Sequence, residues 1–211
     1  MRIGRAALAA SCLAVAALGL AATEPSAPPP DAPLQQSADP PPGDLLIASA
    51  QIGDPRFHHA VVLLLRHDKD GAFGIVINRP LAEETIAKLL EATGDDAAGI
   101  EGSIRVFMGG PVQPELGFLI HSAEYRRDET MTVDGKVAMT ASKDALRDIG
   151  QHKGPLKYLF ALGYTGWGPG QLEAEIARQD WFTIPEDPAL VFDDDRDTVW
   201  DKALARRGRD L

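Results

Sequence analysis

Four glycines and a proline fall within the stretch GYTGWGPG, residues 163–170, directly before a segment with helical character. A glycine loop that leads into a helix can bind phosphate, because the backbone N–H groups at the helix start point toward the anion. The G-x-G-x-x-G spacing of dinucleotide-binding loops fails here, since Gln171 stands where the third glycine is required. The chain also lacks the Gly-Lys pair followed by Ser or Thr that a P-loop needs. The stretch therefore predicts a strand-to-helix turn, and no cofactor is expected.

The histidines, serines and cysteine form no local catalytic or metal-binding pattern. The histidines include no H-x-H or H-x-x-x-H pair that could hold a metal from one strand or helix face. No G-x-S-x-G motif marks a nucleophilic serine, and the only cysteine is Cys12, near the N-terminus. We therefore expect no metal site, and the sequence assigns no catalytic residue.

Acidic residues outnumber basic ones, and the formal net charge is −10. An acidic surface repels phosphate backbones, so nucleic acid is an unfavourable partner. Carboxylates can also act as catalytic acids and bases, and a hydrolase could use Asp54 together with Glu175. Acidic side chains are abundant in this chain, and solvated or helix-capping roles are their ordinary use. Hydrolysis by distant carboxylates is therefore an alternative hypothesis.

The first 23 residues have the pattern of a secretory signal peptide. Two arginines precede an apolar run over residues 6–22, and residues 19–21 offer a small-x-small cleavage site. A retained membrane anchor is the main alternative, because about 17 apolar residues approach the length of a spanning helix. Lipidation at Cys12 is disfavoured, since the apolar run continues beyond the cysteine. We expect a periplasmic protein that meets a membrane only through an uncleaved N-terminal segment; a wrongly assigned start codon would instead make it cytoplasmic.

Residues 24–43 are rich in proline and contain almost no bulky apolar side chain. Such a segment cannot bury enough surface to fold, and it predicts a disordered, extended linker. Residues 44–211 then form the folded domain. Its strands occur singly and as hairpins between short helices, which predicts an α+β fold with a mixed, largely antiparallel, curved sheet. Strands are predicted at 44–50, 58–66, 104–108, 117–121, 131–139 and 156–162, an extended stretch at 181–192, and helices at 82–92, 142–149, 170–179 and 198–207. The Asp70-Gly71 pair predicts a hairpin, and a second hairpin turn at Asp134-Gly135 breaks the stretch 131–139.

Three separated motifs resemble the YqgE/AlgH family of bacterial proteins. They are the segment that begins LLIASAQIGDPRFHH and ends GIVINRP, the motif GGPV, and ALGYTGWGPGQLEAEI followed by DWF. The resemblance covers residues 44 to about 205. It implies an α+β fold with a curved sheet and flanking helices, in a family whose molecular function is not established. One branch is named as a regulator of alginate biosynthesis genes, so transcriptional regulation is a further alternative.

Polar and aromatic residues of these motifs gather at predicted strand ends, where binding sites tend to lie. We predict that they form a ligand cleft. The set consists of Asp54, Phe57, Asn78, Arg79, Gly109, Gly110, Tyr164, Trp167 and Gln171. The leading hypothesis is an exported binding or accessory domain that recognises a protein or a small ligand.

Overall fold

Residues 39–208 are the part of the chain that the computed structural model describes. The predicted signal peptide and residues 24–38 of the predicted linker lie outside it. The remainder of that linker, however, is packed against the domain. Pro40 and Gly43 are buried, and the Gly43 N–H donates to the carbonyl of Leu64 at 2.7 Å. The structured region therefore begins before residue 44, because the end of the linker pairs with a strand.

Single strands and runs of consecutive strands are separated by short helices along the chain. The strands are β1 (Leu45–Ala48), β2 (Val61–Asp68), β3 (Gly71–Val76), β4 (Pro80–Thr85), β5 (Ser103–Met108), β6 (Val112–Ser122), β7 (Thr130–Thr132), β8 (Val137–Thr140), β9 (Tyr158–Trp167) and β10 (Trp181–Ile184). The helices are α1 (Ile86–Ala92), α2 (Lys143–Gly150), α3 (Gln171–Ala177), α4 (Pro188–Val191) and α5 (Val199–Arg207). Within residues 39–208, no helix combines the length and the apolar character needed to cross a membrane.

The strands join into one curved, mixed sheet in the order β10-β1-β2-β3-β9-β6-β8-β7, with β5 on β9 and β4 on β5. All pairings are antiparallel except that of β5 with β9. The long strand β9 therefore touches β3, β5 and β6. This agrees with the predicted α+β fold and its largely antiparallel sheet.

Both faces of the central strands are buried, as the unbroken apolar run of β2 predicts. Leu63 and Leu65 of β2 belong to the core on one face, whereas Val62 and Leu64 belong to the core on the other. A third apolar cluster joins α1 and α2 to β5, β6 and β9. The sheet thus separates apolar layers, and its strand ends are left for polar and aromatic groups.

Several predicted elements are wrong in part. The strand predicted at 156–162 continues to Trp167, so only the last residues of the stretch 163–170 form the predicted strand-to-helix turn. The predicted helix 82–92 begins only at Ile86, because Thr85 caps it through its hydroxyl and residues 80–85 pair with β5 as a strand. The predicted extended stretch 181–192 ends at Ile184. Beyond it, Asp187 accepts a hydrogen bond from the Ala189 N–H at 2.7 Å, and Pro188 opens the first turn of α4.

Candidate functional site

A cleft of about 380 Å³ lies between the turn that follows β1 and the junction of β9 with α3. Four of the nine predicted site residues line it, namely Asp54, Phe57, Trp167 and Gln171. The turn begins at Asp54, whose carboxylate accepts the Arg56 N–H at 2.9 Å. The other wall follows from Gly170, whose positive φ of 71° turns the chain from β9 into α3. The sequence motifs thus meet in space across more than a hundred residues.

Glu175 organises the floor of this cleft. Its Oε2 accepts the indole N–H of Trp167 and that of Trp181, each at 2.8 Å. Its Oε1 accepts the side-chain amide of Gln171 at 2.8 Å. The two indoles are 7% and 1% exposed, and their rings meet edge to face at 5.8 Å. A carboxylate that accepts several hydrogen bonds fixes its donors in place, so the floor is rigid and carries a negatively charged group.

Two ion pairs stand at the rim. Arg56 contacts Asp54 through Nε and Nη2, and these hydrogen bonds hold the pKa of the Asp54 carboxyl below its usual range. Arg178 donates a single hydrogen bond through Nη2 to Asp180 at 2.9 Å, and these two residues are also two positions apart in the chain. Both arginine side chains are more than half exposed, so a ligand can reach them.

Asn78 and Arg79 lie elsewhere and bind the backbone of the segment before β2. The Asn78 amide accepts the Val61 N–H and donates to the carbonyl of His59, each at 2.9 Å. Arg79 donates to the carbonyl of His58. These contacts fix the chain around His59, whose φ of 57° is positive. The structure thus gives both residues a backbone-binding role and does not bring them into the cleft.

Gly109, Gly110 and Tyr164 also lie outside the cleft lining. A Cβ on Gly110 would stand 2.2 Å from the carbonyl of Tyr164, and one on Gly109 would stand 2.3 Å from that of Gly163. The Tyr164 ring packs on Phe73 at 4.9 Å, within the main core. The glycines are therefore needed for the close approach of two strands.

His67 stands between two carboxylates near the start of the described chain. Its Nε2 lies 3.1 Å from Glu173, and its Nδ1 lies 2.9 Å from the carbonyl of Pro40 and 3.3 Å from Asp39. The carboxylates approach different ring nitrogens, and this arrangement suits hydrogen bonds to the two sides of the ring better than coordination of one metal ion. The three side chains each place one possible ligand atom near the other two, but these atoms form only a widely spaced group.

Known proteins match nearly the same residues that form the described fold. A family model described as AlgH-like matches residues 45–211. The chain belongs to the AlgH-like family. A UPF0301 protein of Cereibacter sphaeroides is 44% identical over 169 residues, which cover 80% of this chain and 92% of that protein. A UPF0301 protein of Sphingopyxis alaskensis is 41% identical, and the match covers 80% of this chain and 89% of that protein.

Two solved structures resemble this AlgH-like chain. The solution structure of the AlgH protein from Pseudomonas aeruginosa has a TM-score of 0.68 and 35% identity, covering 88% of this chain and 93% of that one. A crystal structure of a Corynebacterium diphtheriae protein has a TM-score of 0.65, and the match covers 82% of this chain and 90% of that one. At 20% identity, the second likeness concerns the fold alone.

Sequence reasoning missed most of the charged and aromatic residues that line the AlgH-like cleft. Arg56, Arg178 and Trp181 line it but were not among the predicted site residues. Trp181 is buried, at 1% exposed, and its N–H donates to Glu175 at the cleft floor. The available signal was an acidic residue, Glu175, placed one helical turn after Gln171 and close in sequence to two tryptophans.

Proposed function

We propose that this AlgH-like protein is a binding domain and that its cleft takes a small zwitterionic ligand, such as an amino acid or a dipeptide. The observation that carries the proposal is the Glu175 carboxylate, which holds both indole N–H groups through one oxygen. A fixed polar floor beside aromatic rings is the usual composition of a site that orients a small polar ligand. The ligand class follows from the rim.

The rim offers charges of both signs that a ligand can replace. Arg56 and Arg178 are 63% and 60% exposed, and exposed ion pairs are worth at most about 1 kcal/mol. A ligand carboxylate can therefore exchange for Asp54 or Asp180 on a guanidinium, while a ligand ammonium meets the acidic partner. A guanidinium is well suited to this role because it binds a carboxylate through two parallel hydrogen bonds.

No specific observation supports either alternative function, hydrolysis or transcriptional regulation. A hydrolase that uses Asp54 with Glu175 needs both carboxyls available to a substrate, but Asp54 is ion-paired with Arg56, which lowers its pKa, and both oxygens of Glu175 are occupied by hydrogen bonds from protein groups. A transcriptional regulator needs a basic surface, and the chain has a net charge of −10. Binding is favoured because it requires no group that the cleft lacks.

Export belongs to the same proposal. The apolar run over residues 6–22 and the proline-rich segment after it support a cleaved signal and a tether. Intact mass of the native protein from separated periplasm, membrane and cytoplasm tests this. A chain that begins near Ala22 in the periplasm is expected, whereas a cytoplasmic chain that begins near Asp44 would contradict export and leave the cleft proposal standing.

Ligand binding can be followed through the tryptophans of the floor. We would titrate the full-length protein with the standard amino acids and a panel of dipeptides, recording tryptophan emission and melting temperature. A saturable change with at least one ligand is expected. The Arg56→Ala and Arg178→Ala variants should each weaken that ligand about threefold to tenfold, as expected for an exposed charge contact.

Two controls separate the cleft from the rest of the surface. Arg66→Ala removes another exposed arginine that pairs with an acid two residues away, Asp68, but it lies outside the cleft and should leave affinity unchanged. Trp200→Phe removes a tryptophan that donates to the carbonyl of Ala48, so the ligand-induced emission change should persist. A panel without any saturable ligand, or equal losses in Arg66→Ala, would refute the assignment.

A further inference from the structure

A second and larger groove, of about 700 Å³, lies between α1, α2 and the middle of β6. It shares no lining residue with the cleft beside Trp167. Volumes of this size are typical of sites for small organic ligands. Its walls have different origins, one from helices and one from an interruption in the sheet.

The sheet-side wall is a bulge in β6. Val112 pairs with Tyr164 and Gly117 pairs with Leu162, so residues 113–116 stand opposite the single residue Gly163. Gly163 has a φ of 72°, and a Cβ there would lie 2.5 Å from the carbonyl of Gly110. The motif glycines that have no place in the cleft therefore allow the bulge. Through it, the chain projects Pro114, Glu115 and Leu116 along one side of the groove.

The floor of the groove is the surface of the third apolar cluster. Leu119, Leu146 and Phe160 belong to that cluster and also line the groove. Leu89 and Leu162 line it and are only partly buried. On the bulge, Leu116 is 42% exposed. An apolar floor and an uncovered apolar wall favour the transfer of a hydrocarbon body out of water, at roughly 25 cal/mol for each Å² removed from water.

The polar groups of the groove divide into satisfied and free ones. The hydroxyls of Thr93, Thr140 and Ser142 are engaged with partners inside the protein. Lys143 is paired with Asp95 at 2.8 Å. In contrast, Glu115 and Glu129 are exposed and have no side-chain hydrogen bond or ion pair within residues 39–208. The unpaired charge at the mouth of the groove is therefore negative.

We propose that this groove binds a small cationic amphiphile, a molecule with an apolar body and an amine or quaternary ammonium head. The body lies on Leu119, Leu146 and Phe160, and the head stands between Glu115 and Glu129. Charge complementarity selects a cation, since the only lining cation is already neutralised by Asp95. This is a second ligand class at a site independent of the cleft.

The test compares three probes that share one alkyl chain. Dodecyltrimethylammonium, dodecanol and dodecyl sulfate would be titrated into the full-length protein by calorimetry, below concentrations that form micelles or shift the circular dichroism spectrum. We expect saturable binding in the order cation, alcohol, anion. The double variant E115Q/E129Q should weaken the cation about tenfold and leave the alcohol unchanged, because both residues are exposed and neither supports the core.

A matched pair of leucine variants tests the apolar part. Leu116→Ser removes an exposed leucine of the groove and should weaken all three probes about threefold or more. Leu156→Ser removes a leucine that is 86% exposed elsewhere and should weaken none. Equal affinity for cation and anion, unchanged in E115Q/E129Q, would overturn the proposal. Binding of a basic apolar peptide without binding of any probe would also overturn it, since the groove would then be a protein-docking surface.

Discussion

The indole N–H groups of Trp167 and Trp181 converge on the same oxygen of Glu175, although the two tryptophans belong to different strands and are not neighbours in the sheet. Trp167 ends β9 in the interior of the sheet, whereas Trp181 begins the edge strand β10. Glu175 lies on the helix that connects them and joins both ends. A single carboxylate thus fixes the geometry of the connection and of the cleft floor.

Replacing Glu175 with alanine should lower the free energy of unfolding by about 2 kcal/mol. The substitution removes one acceptor from two buried indoles, and an unsatisfied buried donor typically costs about 1 to 3 kcal/mol. Glu175→Gln should lose less than half as much, since its amide oxygen can still accept. Urea unfolding followed by circular dichroism measures both changes.

The matched control for that prediction is Glu91→Ala. Glu91 is an exposed glutamate on α1 whose side chain has no partner among the described residues. Its loss should change the free energy of unfolding by no more than about 0.5 kcal/mol. If Glu175→Ala were as mild as Glu91→Ala, the shared hydrogen bonds would not stabilise the domain.

Gly110→Ala should destabilise the domain by about 3 kcal/mol or prevent folding. The added Cβ would lie 2.2 Å from backbone atoms of Tyr164, which cannot move without separating β6 from β9. Gly53→Ala provides the comparison, because no atom lies within 4 Å of the added Cβ. Thermal unfolding of the two variants should differ by many degrees; equal melting temperatures would refute the close approach.

The local signals of the sequence predict the elements well. The Asp70-Gly71 and Asp134-Gly135 pairs predict hairpins, and the structure has them between β2 and β3 and between β7 and β8. The unbroken apolar run of β2 likewise predicts that both faces of the central sheet are buried. These predictions succeed because turns and burial patterns depend on neighbouring residues.

The site depends instead on contacts between distant segments. Trp181 reaches the cleft only because β10 pairs with β1, where Ala48 lies opposite Trp181. The residues around Trp181 do not encode this pairing, although the acceptor of its N–H, Glu175, lies only 6 residues away in the chain. Asn78 and Arg79 had the residue types of a site, but their partners are carbonyl groups at His59 and His58, which sequence spacing does not reveal.

His67→Ala should loosen the segment that precedes β1. The ring is 2% exposed in its side chain and bridges the carbonyl of Pro40 to Glu173 of α3. Its removal takes away this bridge, so the amide hydrogen of Gly43, bonded to Leu64, should exchange about tenfold faster. Hydrogen exchange with mass spectrometry measures this. His58→Ala, at an exposed histidine, should leave the exchange at Gly43 unchanged. If exchange at Gly43 became faster by the same factor in His58→Ala as in His67→Ala, the effect would not depend on the His67 bridge.

Asp44→Asn should stabilise the domain at neutral pH and not at acid pH. Burial raises the pKa of Asp44 from 3.8 to about 6, and its carboxylate has no partner within residues 39–208. At a pH well below the unfolded pKa of 3.8, the carboxyl is protonated in both the folded and the unfolded state and has no net effect. As the pH rises toward 6, the unfolded state ionises first, so the wild type loses stability that the variant keeps. After allowance for the partial exposure of the group, the difference should reach about 1 to 2 kcal/mol above pH 6. Urea unfolding of both proteins at about pH 3, 5 and 7.5 tests this, and a difference that does not change with pH would contradict it.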